Sequence, residues 1–190
     1  MRVNNVRNAW KIDHPDSENI RSFYDSSLWE SKKLTDPDRI KALICAGVSY
    51  TSVVCVLIGS ETWERRWVRY EIARSVIDEK GLLGVHLNGL AHHQRQAPDE
   101  KGYNPLHLMG LGCKPNGKVY LCEKKNTEGG WKWLWYEDYT QSVPLPKYTP
   151  KPGEDVVALS EHVYEYDFVK QQGHKNIGEW VDLAAQRAGR

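Results

Sequence analysis

The sequence has no long apolar run. Its longest uninterrupted apolar stretch, Val53 to Ile58, is far too short to span the hydrocarbon core of a bilayer as a helix. The first ten residues, MRVNNVRNAW, do not have the pattern of a secretory signal peptide. We therefore expect a cytoplasmic protein that does not act at a membrane.

The sequence also lacks an excess of charge of either sign. Its 26 basic and 25 acidic residues leave a formal net charge of +1, and they include no basic run. Such a balance produces no field that attracts nucleic acid or an anionic membrane, so we expect neither as a partner. With 190 residues, 40% hydrophobic and 27% charged, the composition is typical of one soluble globular domain with a sizeable core.

Cysteine is scarce, and its four occurrences form no CxxC pair. Cys45 and Cys55 lie in apolar segments, where a thiol acts as a small buried side chain. Cys113 and Cys122 flank the turn sequence KPNGK and would face each other across a hairpin, so a disulfide between them is geometrically conceivable. Free thiols are the favoured alternative in a reducing compartment.

The seven histidines do not form a metal-ligand pattern. Neither the adjacent pair His92 and His93 nor the others show the spacing of a closed metal site or a Cys or carboxylate partner at fixed distance. A surface loop over Ala91 to Pro105, rich in Gly, Pro, His and Gln, explains the pair better. We expect no metal site and no cofactor.

Local signals in the first fifty residues predict helices around a short extended segment. Apolar residues at positions 3, 6 and 10 recur at helical spacing, so the chain begins in a helix. Ser22 to Tyr24 is a candidate short strand. Asp36 followed by Pro37 predicts the N-cap of a second helix, which Gly47 would end.

The next forty residues predict a strand, a helix and a second strand. Ser52 to Ile58 is apolar and β-branched without alternation, which is typical of a central strand covered on both faces. Val68, Ile72 and Val76 mark the core side of a helix that closes near Gly81, and Leu82 to Leu87 is the second strand. Since this unit is a crossover connection, we predict a parallel sheet and an α/β fold.

The second half of the chain has a different residue pattern, which is typical of antiparallel strands. Lys118 to Cys122 and Trp131 to Tyr139, separated by the turn sequence NTEGG, predict an antiparallel hairpin. Trp131, Trp133 and Trp135 would share one face of a strand. Packing of this stripe against the domain is the favoured interpretation, and a partner interface is the alternative.

A proline-stiffened connector, VPLPKYTPKPG, precedes two predicted helices. The first covers Tyr164 to Gln172 and stops at Gly173. The second starts at Asn176, with Glu179 placed for a capping box.

Trp67 and Glu71 are the candidate chemical pair. They lie four residues apart, on one face of the helix after the strand Ser52 to Ile58, and would point into the cleft beyond the carboxyl end of that strand. A carboxylate packed against an indole is partly desolvated and can stabilise a nearby positive charge. The alternative is a solvated Glu71 paired with Arg65 or Arg74, and the spacing alone favours this alternative.

A family resemblance supports a chemical role for Trp67 and Glu71. The run TSVVCVLIGSETWERRWVRYEI followed by GLLGVH resembles the MTH538-type TIR-like domains that form the TIR subunit (ThsB) of the Thoeris antiphage defence system. RVNNVRNAW, SLWES, DRIKALI and the closing segment from YEYDFVKQQ to the end are supporting matches, so the resemblance spans nearly the whole chain. LIGSET with RRWVRYE is its most specific part.

The resemblance implies a flavodoxin-like parallel sheet flanked by helices, with a C-terminal hairpin and helical extension. It also implies an enzyme that cleaves NAD between nicotinamide and ribose, with NAD as a substrate and no cofactor. The catalytic glutamate of the family follows a helical tryptophan by four residues. By this resemblance Glu71 is catalytic, and Trp67 forms the apolar wall of the substrate site.

The resemblance further implies a place in signalling. A Thoeris TIR protein responds to a phage-derived trigger, converts NAD into a cyclic ADP-ribose isomer and so activates a separate effector. The sequence does not decide between that product and ADP-ribose, which water would give. Homo-oligomer formation also stays open.

Four further residues are weaker substrate-binding candidates. Ser60 and Thr62 lie in the loop after the strand, where their hydroxyls would bind phosphate or ribose, or simply cap the helix. In TIR-like domains, the segments that contain Asn8 and Trp29 approach the nucleotide pocket. The alternatives are a helix-surface amide and a packing indole.

The chain departs from the family pattern at its start. TIR-like domains open with a strand, whereas this sequence opens at the helix that would follow, so the first strand is apparently missing. We divide the chain into a TIR-like α/β core, residues 1–112, and an extension, residues 113–190, with the hairpin, connector and C-terminal helices packed on the same domain.

Two other functions compete with the enzyme. One is a catalytically silent TIR-like module that acts by homotypic assembly or by protein binding. The other, a flavodoxin-like phosphoacceptor domain, is poorer because the sequence lacks the acidic cluster that would bind magnesium at the strand ends.

Overall fold

The computed structural model describes residues 2–13, 36–91, 97–144, 151 and 153–190. The predicted strand Ser22 to Tyr24, Trp29, the pair His92 and His93, and most of the connector lie outside the described residues. The described α-helices are α1 Arg2–Asp13, α2 Pro37–Ser49, α3 Arg66–Ile77 and α4 Gly173–Arg187.

Three strands form a parallel sheet, β1 Val53–Ile58, β2 Gly81–His86 and β7 Tyr164–Asp167, in the order β1-β2-β7. The helix α3 connects β1 to β2, which confirms the predicted α/β class. No strand precedes β1 among the described residues.

The expectation that β1 is covered on both faces is confirmed, because one set of alternate residues belongs to one apolar cluster and the other set packs against a second cluster. Its central place in the sheet stays a prediction. Among the described residues β1 pairs with β2 alone. Its residues alternate between half-buried and buried, and Val54, Val56 and Ile58 are the buried ones.

Four strands form an antiparallel sheet: β3 Met109–Cys113, β4 Val119–Thr127, β5 Gly130–Trp135 and β6 Val157–Ala158, in the order β5-β4-β3-β6. The predicted hairpin corresponds to β4 and β5, and the KPNGK turn joins β3 to β4.

The tryptophan stripe of β5 packs across the antiparallel sheet. Trp133 and Trp135 lie over Gly110 and Gly112 of β3, where a Cβ would come within 3.0 Å of their rings. These glycines therefore make room for the indoles, as the packing interpretation predicts. Trp135 remains 47% exposed.

The predicted closeness of Cys113 and Cys122 is wrong. In the ladder between β3 and β4, Cys113 pairs with Val119, and Cys122 pairs with Gly110. All four cysteines are free. The turn sequence correctly indicated a hairpin, but its register places the two thiols at different levels.

The first of the two predicted closing helices is also wrong. Tyr164 to Asp167 form β7, and turns follow to Gln172. Asp167 closes the turn, because its Oδ1 accepts hydrogen bonds from the backbone N of Val169 (3.0 Å) and Lys170 (2.9 Å). Pairing with β2 outweighs the weak helical pattern of this segment.

Two helix boundaries differ from the predictions. α4 begins at Gly173 rather than Asn176, after Gln172 in a left-handed conformation with φ 53°. α2 starts after Asp36 as predicted, with Asp36 Oδ1 accepting from Asp38 N at 3.0 Å. It continues two residues past Gly47 to Ser49, since a buried glycine within a helix permits close packing as well as termination.

Two apolar clusters hold the fold together. One joins β1, α2 and α3 to the antiparallel sheet, through residues such as Val56, Ile72, Leu111 and Leu121. The other joins β2 to α1 and α4. The two sheets therefore share a core, and α3 lies between β1 and the antiparallel sheet.

Candidate active site

The turn from β1 into α3 is closed by the side chain of Thr62. Its Oγ1 accepts a hydrogen bond from Gly59 N at 2.8 Å and donates one to Leu57 O at 3.4 Å. α3 then begins at Arg66. Thr62 thus fixes the entry to the helix that carries Glu71, and its hydroxyl is engaged with the backbone.

Glu71 lines a cavity of about 360 Å³, which is within the size range of small-molecule sites. The other walls come from the turn before β1, the first half of β1, the end of α2, Val6 of α1 and one face of α4. Most of these residues are apolar. Asp182 of α4 is the second carboxylate that borders the cavity.

The cavity follows the edge of β1 rather than one of its faces. Val53, Val54 and Cys55 all border it, although side chains of successive strand residues point to opposite sides. This is the edge that has no strand partner among the described residues. Backbone groups of β1 are consequently part of the cavity wall.

Glu71 lies close to the thiol of Cys55. Burial, followed by the negative charge of Glu71, raises the pKa of Cys55 to about 12. Glu71 is therefore level with the first half of β1. The expectation that it lies beyond the carboxyl end of the strand is wrong, because α3 runs back alongside β1 from Arg66 before Glu71 is reached.

Of the other predicted substrate-binding residues, those that the structure describes do not border this cavity; they are Trp67, Ser60, Thr62 and Asn8. Trp67 is half-buried against the core, with its ring 6.2 Å from that of Tyr70 in an edge-on arrangement. Asn8 is exposed on α1. Ser60 lies in the turn after β1, and Trp29 is outside the described residues.

Sequence reasoning missed Asp182 and the polar pair Thr51 and Ser52, which also border the cavity. No local signal marks Asp182, because only the packing of α4 beside β1 brings it near Glu71. Thr51 and Ser52 precede the strand, and the search for site residues concentrated on the loop that follows it.

A second polar cluster lies near the carboxyl ends of β2 and β7. The carboxylate of Glu165 contacts His86 Nε2 at 2.6 Å and accepts a hydrogen bond from Asn104 Nδ2 at 2.8 Å. Burial lowers the pKa of His86 although Glu165 opposes this shift. These contacts fasten the segment Lys101 to His107 against the sheet.

Neither a membrane-crossing helix nor a metal-binding cluster occurs in the described part of the chain. Its helices are too short or too polar to cross a bilayer. No group of three His, Cys, Asp or Glu side chains there has an arrangement that could hold a metal ion.

Comparison with known proteins decides the family. Residues 1–92 match the family model described as "Thoeris protein ThsB, TIR-like domain". Over 186 residues the chain is 35% identical to "Putative cyclic ADP-D-ribose synthase ThsB1" of Bacillus cereus (strain MSX-D12), an alignment that covers 96% of this chain and 92% of the relative. The chain belongs to the ThsB family.

The ThsB family model covers α1, α2, β1, α3 and β2. The antiparallel sheet, β7 and α4 lie beyond the matched residues, although the alignment with the ThsB1 relative takes in nearly the whole chain. Glu71 is within the matched part, whereas Asp182 is outside it. The candidate cavity thus combines both parts of the chain.

Proposed function

We propose that this ThsB-family protein is an NAD-consuming enzyme of bacterial antiphage defence, which breaks the bond between nicotinamide and ribose. The observation that carries the proposal is the position of Glu71, which lines a mainly apolar cavity one helical turn after Trp67. The name of the Bacillus cereus relative, which refers to cyclic ADP-D-ribose synthesis, supports the same assignment.

The reaction needs a carboxylate rather than a general acid. Nicotinamide is cationic in NAD and takes the electron pair of the glycosidic bond when it leaves, so it departs as a neutral base. The ribose is left with oxocarbenium character, and Glu71 would stabilise that charge and hold the ribose hydroxyls. Apolar walls strengthen the attraction because they exclude water.

The fate of the ribose carbon sets the product. Attack by water gives ADP-ribose, whereas attack by a nucleophile from the same molecule gives a cyclic isomer, and a restricted cavity favours the second by holding the chain ends together. We propose the cyclic product, made in the cytoplasm after a phage-derived trigger. It would act as a diffusible signal to a separate effector.

The test is product analysis. Purified protein is incubated with NAD, alone and with lysate from phage-infected cells, and the products are separated by chromatography and identified by mass. The proposal predicts nicotinamide together with a product one water lighter than ADP-ribose. NAD that stays intact under both conditions would overturn the proposal in favour of a silent interaction module.

A further inference from the structure

The first turn of α3 is bound to the segment that follows β5. Arg66 donates two hydrogen bonds to Asp138, from Nε to Oδ2 at 2.9 Å and from Nη2 to Oδ1 at 2.6 Å. Lys41 of α2 reaches the same carboxylate at 2.9 Å. The Asp138 side chain is only 11% exposed, whereas Arg66 is 53% exposed, so the two-pronged geometry and the second cation, Lys41, rather than burial, distinguish this contact from an ordinary surface ion pair.

One turn further along, α3 is tied to the sheet itself. Arg69 Nε lies 3.5 Å from Oε2 of Glu123 on β4, a side chain that is 5% exposed. Arg69 also donates from Nη1 to Trp63 O at 2.7 Å. The two arginines are three residues apart and so share one face of the helix.

These ties set the rotation of α3 about its own axis. Successive residues of an α-helix are about 100° apart, so Glu71 points roughly 140° away from Arg66 and about 160° away from Arg69. The anchored face meets the antiparallel sheet while Glu71 meets the cavity. A rotation of about 10° would move a side chain at a radius of about 6 Å by roughly 1 Å.

We propose that Asp138 is a positioning residue, which acts through Arg66 to hold α3 in the rotation that directs Glu71 into the cavity. The inference rests on the proposed function of Glu71. It gives the turn after β5, which lies outside the part matched by the family model, a defined role in the chemistry. Displacements of about 1 Å in a catalytic group cost up to about 100-fold in rate.

α3 contains a matched control. Arg74 donates to Asp78 with the same two-pronged geometry, the Nε to Oδ2 distance being 2.9 Å. Both residues belong to the last turn and cap of α3, so their pairing does not attach the helix to another element. Their substitution should lower stability without changing the rotation of the helix.

The test is a double-mutant cycle on Arg66→Gln and Asp138→Asn, read out as kcat and KM for nicotinamide release and as the midpoint of denaturant unfolding. Each single change should lower kcat by about 10- to 100-fold with KM changed less than about threefold, and the double variant should be no slower than the singles. Arg66→Lys keeps the positive charge but not the two-pronged hydrogen bonding to Asp138, so its kcat should lie between those of wild type and Arg66→Gln.

The corresponding cycle on Arg74→Gln and Asp78→Asn should lower the unfolding midpoint with kcat within about twofold of wild type. The inference would be overturned if kcat is unchanged in folded Arg66→Lys and Asp138→Asn. It would also be overturned if the Arg74 and Asp78 variants lose as much kcat as the Arg66 and Asp138 variants. If Asp138→Asn does not fold, Arg66→Lys alone decides.

A wild-type protein that never releases nicotinamide would contradict the proposed function instead. The positioning is then judged by chemical labelling of Cys55. Glu71→Gln should speed labelling in the wild-type background, and should speed it by a smaller factor once Asp138→Asn or Arg66→Gln has displaced Glu71. An undiminished effect of Glu71→Gln in those backgrounds would overturn the inference.

Discussion

A carboxylate interacts most strongly with a developing positive charge where water is scarce. Glu71 is half-buried, shares its cavity mainly with apolar side chains and lies near the buried thiol of Cys55. At the scale of single residues, this neighbourhood is the main physical support for a charge-stabilising role.

The Cys55 thiol reports on Glu71 without any need for activity. Because burial and the charge of Glu71 raise its pKa to about 12, Cys55 should react slowly with iodoacetamide at about pH 9. Glu71→Gln removes the second of these causes, so labelling of Cys55, followed by peptide mass spectrometry, should become several-fold faster.

Cys122 is the internal control for this labelling. Its pKa is also raised to about 12 by burial, but Glu71 is not among the causes, so Glu71→Gln should leave its labelling rate unchanged. Equal acceleration at both thiols would indicate a general loosening of the fold, and an unchanged Cys55 rate would contradict the placement of Glu71.

At the scale of elements, the turn after β1 is held by the neighbouring segment that contains Gly102. A Cβ at position 102 would overlap the carbonyl oxygens of Gly59 and Ser60, which are backbone atoms and not the ends of flexible side chains. Glu165 holds the same segment through Asn104 and is itself bound to His86 of β2. The entry to α3 therefore depends on contacts from outside β1 and α3.

We expect Gly102→Ala to lower the free energy of unfolding by about 1–3 kcal/mol, measured by urea denaturation, because the backbone must shift to admit the methyl group. Gly59→Ala, on the other side of the same contact, is the control. Its Cβ would meet only Thr62 Oγ1 at 3.5 Å, so its stability should stay within about 1 kcal/mol of wild type. Equal stability of the two variants would contradict this packing.

The sequence predicts elements well where the signal is local. Three features were predicted from neighbouring residues alone and are observed: the cap at Asp36, the apolar strand before Gly59 and the turn KPNGK. β7 was missed because Tyr164 to Asp167 become a strand only by pairing with β2, about eighty residues earlier in the chain.

At the scale of the whole molecule, the two sheets form one structural unit. Val56 of the parallel sheet and Leu121 of the antiparallel sheet belong to the same buried cluster. In addition, β7 and α4, from the end of the chain, cover β2. The division at residue 112 remains a prediction about the organisation of the chain, and the packing indicates that neither part is stable alone.

We therefore expect one cooperative unfolding transition in the full chain, with coincident midpoints for tryptophan fluorescence and far-ultraviolet circular dichroism. The fragment of residues 1–112 lacks β4, β7 and α4 and should show no cooperative transition. Two separate transitions in the full chain, or a cooperatively folded fragment, would contradict the shared core.

The candidate site was predictable only in part. Glu71 was singled out from the helix that carries it and from the family resemblance, whose most specific part, LIGSET with RRWVRYE, lies within the first ninety residues. The residues around Glu71 were not predicted, because the cavity is formed by α1, α2, β1, α3 and α4 together. Asp182 and the ties from Asp138 and Glu123 depend on long-range packing that no short motif encodes.

The most direct test of the central claim is the initial rate of nicotinamide release from NAD by Glu71→Gln, relative to wild type, at matched amounts of folded protein and in the presence of trigger. Glu64→Gln, which alters an exposed acid of the turn before α3, is the control. We predict a loss of at least about 100-fold for Glu71→Gln and less than about twofold for the control. A Glu71→Gln variant that releases nicotinamide at the wild-type rate would contradict the claim that Glu71 supplies the catalytic charge.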